Sequence, residues 1–310
     1  MNMSDQLRLE GLRGELRHDE PMARYVTWRT GGRARRLYRP ADLDDLAAFL
    51  RRLPADEATL FVGLGSNLLV RDGGFAGTVV LTHAAGRHPE ILHGQVYAEA
   101  GVASPKVARF AARNHLAGAE FLAGVPGTVG GALAMNAGCF GAETWDIVER
   151  VLTVDRRGTL RRRAAAEFVT RYRHCALRSG ERLGEHEWFA AAWFRLAPGD
   201  GAASRARMTE LLARRVATQP LQLPNAGSVF RNPPNEHAAQ LIESCGLKGL
   251  ARGGARVSEK HANFIVNPKG AGRASDIEWL IETVRSTVGT RTGFDLIPEV
   301  RIVGDVGQPA

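Results

Sequence analysis

The chain has 310 residues, 44% hydrophobic and 24% charged, the composition of a globular protein long enough to bury its own core, which excludes a disordered chain. Lys and Arg (41) exceed Asp and Glu (33) for a net charge of +8, a balance that suits anionic ligands, but without a basic tail, zinc-finger spacing or aromatic RNA-binding signature nucleic acid is not an expected partner. Cys139, Cys175 and Cys245 are odd in number and share no metal-ligand spacing, so neither a disulfide framework nor a metal site is expected. The polar N-terminus is no secretory signal, and no apolar run approaches the roughly 18–20 residues that cross a bilayer, so a cytoplasmic protein without a membrane partner is expected.

Residues 1–20 read as a polar extension. Tyr25-Val26-Thr27-Trp28 reads as a short strand running into Gly31-Gly32. Leu43, Leu46, Ala47, Leu50 and Leu53 recur at helical spacing behind Asp42, a good N-cap. Leu60 to Gly63 reads as a buried strand, and Leu68-Leu69-Val70, Thr78 to Leu81 and Gln95 to Val102 as further strands. Ser104 and Pro105 open a helix that continues through Val107, Phe110, Ala111 and Asn114. Ile147 to Val154 and Phe189 to Leu196 are strand-like, and Ala197-Pro198-Gly199-Asp200-Gly201 is the best domain boundary. Beyond it, one helix carries Met208, Leu211, Leu212 and Val216 on a single face. Another carries Ile277, Leu280, Ile281, Val284 and Val288. Glu299 to Val303 reads as the last strand. Strands and helices so interspersed indicate an α+β or mixed α/β fold, with a separate C-terminal domain from about residue 203.

Two glycine-rich loops carry the chemistry. Gly63-Leu64-Gly65-Ser66-Asn67 follows a strand; its glycines can adopt positive φ, and successive N–H groups in such a turn form an anion-binding nest. A lone G-x-G is more often an ordinary tight turn. The dinucleotide fingerprint also needs a third glycine opening a helix, and Leu68 stands there, so that reading fails. The second loop, Gly124-Val125-Pro126-Gly127-Thr128-Val129-Gly130-Gly131-Ala132, leads into Met135-Asn136-Ala137-Gly138. Its small residues suit a helix packed against a ligand or another backbone. Together the loops favour a diphosphate ligand.

The string G-L-G-S-N-L-L-V-R-D-G-G-F-x-G (63–77) resembles the first flavin-binding segment of the UDP-N-acetylenolpyruvoylglucosamine reductases, and G-V-P-G-T-V-G-G-A (124–132) with M-N-A-G (135–138) resembles the second. Both segments also occur in the wider class of vanillyl-alcohol-oxidase-type flavoproteins. N-A-G-S-V-F-R-N-P (225–233), L-I-E-x-x-G-L-K-G (241–249), V-S-E-K-H-A-N-F-I-V-N (257–267) and P-E-V-R-x-V-G (298–304) narrow the resemblance to the reductases. It implies an α+β fold: a two-part FAD-binding domain of the vanillyl-alcohol-oxidase type (21–90 and 91–200), then a C-terminal α+β substrate-binding domain (203–304). The short interval from Arg173 to Ser228 implies the subtype lacking an extra tyrosine loop. The implied activity belongs to peptidoglycan precursor synthesis. NADPH reduces bound FAD, and UDP-N-acetylglucosamine enolpyruvate, a small nucleotide-sugar substrate, is reduced to UDP-N-acetylmuramate. Nothing in the sequence sets the oligomeric state; a monomer is the favoured reading.

Reducing an enolpyruvyl ether needs a hydride at one alkene carbon, a proton at the other, and stabilisation of an enediolate. The resemblance assigns the proton to Ser228, a cationic grip on the substrate carboxylate to Arg173, and enediolate stabilisation to Glu299. A planar guanidinium holds a carboxylate at two points, which a lysine does not match. The family usually has serine where Cys175 stands, which leaves a supporting hydrogen bond in question. For the flavin, Gly63, Leu64, Gly65, Ser66, Asn67, Gly124, Pro126, Gly127, Thr128, Gly130, Gly131 and Asn136 are expected. Arg231, Asn232, Lys260, His261 and Arg301 are secondary candidates for substrate contact, because cationic and amide groups suit a uridine diphosphate.

Overall fold

The computed structural model describes residues 10–84 and 86–307. Chain contacts divide the protein into two interleaved compact units. Among the described residues the first comprises 10–18, 36–63, 77–84 and 86–211, and the second 19–35, 64–76 and 212–307.

In the first unit a five-stranded antiparallel sheet runs in the order Leu160–Ala164, Val148–Asp155, Glu187–Phe194, Gln95–Glu99, Glu90–Leu92. Glu187–Phe194 is buried along its whole length, as a central strand covered on both faces should be. Helices α1 (Leu43–Leu50), α2 (Ser104–Arg113) and α3 (Val129–Met135) also belong to this unit. Asp42 accepts the Asp45 N–H and so caps α1, as its position before the apolar repeat predicts. A second sheet, whose larger part lies in this unit, orders Glu15–Pro21, Arg33–Arg39, Phe75–Leu81 and Thr59–Val62, the last two parallel with Val62 opposite Leu81.

Helix α4 (Gly201–Thr218) passes from the first unit into the second. The second unit holds α5 (Ala238–Ser244), α6 (Ala274–Thr292), a three-stranded sheet of Ala251–Arg252, Ala255–Val257 and Ile265–Val266, and a parallel pair of Leu68–Val70 with Arg301–Val303. Its core gathers Trp28, Leu69, Phe230 and Ile242 around the apolar face of α6, whose Ile277, Leu280, Ile281, Val284 and Val288 are all buried. Trp28 donates its indole N–H to the Ile265 carbonyl at 2.8 Å, satisfying the polar atom that a buried tryptophan brings with it.

Several expectations are corrected. Residues 1–20 are not simply an extension: Glu15–Pro21 is an edge strand, and Gly14 donates to the Tyr38 hydroxyl while Arg13 donates to Asp45. An edge strand tolerates a polar, charged sequence, which disguised this one; residues 1–9 lie outside the described residues. Tyr25–Trp28 is a run of turns after a short 3-10 helix at Met22–Arg24, not a strand. On α4, Met208 and Leu211 are buried, whereas Leu212 and Val216 are exposed. The last strand begins at Arg301, two residues past Glu299.

Candidate active site

Strand Thr59–Val62 ends at Gly63, where a Cβ would collide with the Thr128 side chain. The two flavin-type loops therefore meet within the first unit at a point that only glycine allows. Gly65 adopts φ 62°, and a Cβ there would strike the Tyr25 carbonyl. Its own carbonyl accepts the Thr27 N–H at 3.1 Å. Leu64 is exposed. Past the loop the chain becomes strand Leu68–Val70, which is why a helix-opening third glycine is missing. The rest of the first motif is structural. Arg71 pairs with Glu278 at 2.8 Å, and Asp72 accepts the N–H groups of Ala274 and Ser275, each at 3.0 Å, at the start of α6.

The second loop lies wholly in the first unit. Thr128 precedes α3, and the first two N–H groups of that helix donate to the chain: Val129 to the Val102 carbonyl at 2.8 Å and Gly130 to the Ala100 carbonyl at 2.9 Å. A Cβ on Gly130 would press on Ala100, so this glycine serves backbone packing. Gly127, at φ 115°, accepts the Ser104 N–H. Gly131 is different. It is exposed, and the nearest atom to a Cβ there is Thr128 Oγ1 at 3.9 Å. Packing does not demand that glycine. Ala134, one turn on, and Pro126, before it, are exposed as well. Gly124 is buried at the end of a 3-10 helix. Asn136, 2% exposed, donates through Nδ2 to Glu143 at 2.7 Å and to the Arg171 carbonyl at 3.2 Å, and accepts the Trp145 N–H at 3.2 Å. Its side chain thus ties together elements of the chain itself.

Arg173 sits in the two-residue turn of a hairpin whose strands are Phe168–Arg171 and His174–Leu177. Its φ of 53° is left-handed, a strained state for a side chain of this size. Nη2 donates to the Gly138 carbonyl at 3.1 Å, and the guanidinium carbon lies 4.8 Å from the centre of the Tyr172 ring. Burial pushes the Cys175 thiol up to about 12, with a hydrogen bond from the Trp145 side chain opposing it. The residue that replaces the family's serine is therefore a protonated, poorly reactive thiol at neutral pH.

Ser228 and Glu299 both lie in the second unit, and the structure brings their backbones together. The Glu299 N–H donates to the carbonyl of Val229, the residue after Ser228, at 2.7 Å, and Phe230 bridges Pro298. Gly227, at φ 75°, turns the chain before Ser228, and the Asn225 side chain accepts its N–H. Asn263 fixes the other side. It is 4% exposed, its carbonyl accepts the Val229 N–H, and its side chain both accepts from and donates to Phe230. Asn67 donates to the Glu299 carbonyl and accepts the Arg301 N–H. Arg173 belongs to the other unit.

The secondary candidates fall in different settings. Arg231 donates its backbone N–H to Ile297, but its buried Nε has no hydrogen-bond partner among the described residues, an arrangement that favours a ligand acceptor. Asn232 accepts the Ala238 N–H at the start of α5. Lys260 donates to the Val216 carbonyl at the end of α4 and lines a cleft of about 350 Å³ with Arg256, Gln219 and Gln222. His261 stacks edge-on against Phe264, and burial lowers its pKa below the ordinary imidazole value. Arg301 projects from an exposed position beside Leu68. Sequence reasoning quoted Asn263 only as part of a motif. The signal was an amide inside the apolar run Ala-Asn-Phe-Ile-Val, costly to bury unless fully paired. Among the described residues no His, Cys, Asp and Glu group could hold a metal ion, and no helix is long and apolar enough to cross a membrane.

The FAD binding domain family model matches residues 34–163, which defines the class as an FAD-binding protein. The model for the UDP-N-acetylenolpyruvoylglucosamine reductase C-terminal domain matches residues 219–303. The UDP-N-acetylenolpyruvoylglucosamine reductase of Nitrosospira multiformis is 57% identical, covering 100% of this chain and 95% of that protein. The reductase of the same name from Thiobacillus denitrificans is 58% identical over 95% of this chain and 94% of its own. The crystal structure of UDP-N-acetylenolpyruvylglucosamine reductase from Thermus caldophilus superposes with a TM-score of 0.78 at 31% identity, covering 94% and 99% of the two chains. The chain belongs to the UDP-N-acetylenolpyruvoylglucosamine reductase family.

Proposed function

We propose that Ser228, Arg173 and Glu299 carry the family's reaction in this chain, the NADPH-driven reduction of UDP-N-acetylglucosamine enolpyruvate to UDP-N-acetylmuramate in the cytoplasm. FAD, when bound, would supply the hydride chemistry, with NADPH as the reductant. The Ser228 hydroxyl delivers the proton to the second alkene carbon. A hydroxyl is a weak acid, so it acts only on a strongly basic carbanion-like centre. Arg173 grips the substrate carboxylate at two points while negative charge develops there, and Glu299 stabilises the resulting enediolate. Gly63–Asn67, Gly124, Pro126–Thr128, Gly130 and Gly131 are the segments that hold the flavin, with Gly131 on the open face. Arg231, whose buried Nε lacks an acceptor among the described residues, and Lys260, beside the cleft, suit the nucleotide's diphosphate.

The observation that carries this reading is the bond from the Glu299 N–H to the Val229 carbonyl. It joins two motifs far apart in sequence and sets the carboxyl-bearing residue beside the hydroxyl-bearing one. An anaerobic experiment tests it: the flavin is bleached with NADPH, the enolpyruvyl substrate is added, and the return of oxidised-flavin absorbance is followed. Rapid return with this substrate, and none with UDP-N-acetylglucosamine, is expected. Equal rates with both would overturn the reading.

A further inference from the structure

We propose that Tyr172 is a positioning residue for Arg173, its ring ordering the guanidinium that is to meet the substrate carboxylate; this rests on the role of Arg173 proposed above. The hairpin turn consists of these two residues alone, between paired Arg171 and His174. Such a turn places Arg173 in the left-handed region at φ 53°. Non-glycine residues adopt that region only under strain, which persists where the surroundings over-determine it. Here they do. Asn136 donates to the Arg171 carbonyl and anchors the strand leading into the turn. The Gly138 carbonyl takes one N–H of the guanidinium, and the Tyr172 ring lies 4.8 Å from the guanidinium carbon.

Tyr172 is 45% exposed, so core packing does not account for an aromatic residue at this position. Its π face draws a cation to it. A free arginine side chain samples many rotamers. Restricting the guanidinium between a ring and a carbonyl reduces what is lost when the carboxylate arrives. The hydroxyl plays no part in this account; the ring does.

The test uses the FAD-loaded protein with Tyr172→Ala, Tyr172→Phe, Arg173→Ala and the double variant Tyr172→Ala/Arg173→Ala. Flavin content and NADPH-driven flavin reduction are expected to match wild type in both Tyr172 variants, which also shows that they fold. Substrate-driven reoxidation at sub-saturating substrate is expected to slow about 2–5-fold in Tyr172→Ala, the size of an exposed cation–π contact, and to stay at the wild-type rate in Tyr172→Phe. Adding Tyr172→Ala to Arg173→Ala should change nothing further. Wild-type reoxidation in Tyr172→Ala, equal losses in the Phe and Ala variants, or additive losses in the double variant would each overturn the proposal. If Arg173→Ala itself turns over normally, the reading of Arg173 fails instead, and the single variant shows this directly.

Discussion

Asn67 holds the two peptides that flank Val300: its Nδ2 donates to the Glu299 carbonyl at 3.1 Å, and its backbone carbonyl accepts the Arg301 N–H at 3.0 Å. A residue of the first glycine loop thereby sets the start of the last strand. Asn67→Ala is expected to lower stability by about 1 kcal/mol, the usual size of one such hydrogen bond, and to slow substrate-driven flavin reoxidation through a displaced Glu299. Urea unfolding and stopped-flow absorbance measure the two effects; unchanged reoxidation would detach Asn67 from the placement of Glu299.

Ser228→Ala should leave NADPH-driven flavin reduction intact and slow the substrate half-reaction by about 100- to 10,000-fold, the range for losing a proton-transfer group. Rapid-mixing absorbance separates the two half-reactions. A variant that reoxidises at the wild-type rate removes Ser228 from the chemistry.

Arg173→Lys keeps the charge but loses the planar two-point grip. Substrate-driven reoxidation should be strongly impaired while flavin reduction proceeds normally. Near-normal turnover in this variant would leave Arg173 with a structural part only, through its bond to Gly138.

Gly131 and Gly63 predict opposite signatures. At Gly131 a Cβ has room, so Gly131→Val should leave the stability of the apoprotein near wild type and weaken FAD retention. At Gly63 a Cβ meets Thr128, so Gly63→Ala should destabilise the apoprotein itself, as overpacking does by about 1–3 kcal/mol. Apoprotein unfolding and FAD titration distinguish them; unchanged FAD affinity in Gly131→Val would remove that face from the flavin site.

Asp72 gives a pH signature. Burial pushes its carboxyl up, but hydrogen bonds from Ser275 and Ala274 and the charge of Arg273 outweigh it, so the folded value lies below the ordinary one. A depressed folded value means that the unfolded chain takes up the proton first. The contribution to stability is full above the unfolded value of about 4 and is lost as pH falls through it towards the folded value. The stability gap between wild type and Asp72→Asn should therefore be constant near neutrality and shrink below about pH 4. A gap that does not change with pH in urea unfolding would contradict this.

Local signals made much of the fold legible. Asp42 before a helical repeat, the apolar face of α6 and the buried strands at 59–62 and 148–155 each announce themselves over a few residues. What stayed hidden depends on distant partners. Glu15–Pro21 looks like solvated charge because an edge strand has only one neighbour to satisfy. Leu212 and Val216 continue a helical pattern whose burial stops at Leu211. In the site, the motifs name Ser228 and Glu299, but only tertiary pairing reveals Asn263 and Asn67 as the amides that fix them. The small residues of the second loop could serve a ligand or a backbone. The structure divides them, with Gly130 against Ala100 and Gly131 open.

The union of Asn67 with Glu299 and Arg301 also orders events during synthesis. The ribosome releases the chain from the N-terminus, so the Gly63–Asn67 turn emerges long before either of its partners exists. It must wait through the whole of the intervening polypeptide, because closing so long a loop is slow and rewards nothing until it is complete. Helix α6 emerges shortly before them, and Arg71 and Asp72 fasten to it. A nascent chain halted before residue 299 would hold the first loop without the two bonds that join Asn67 to the last strand.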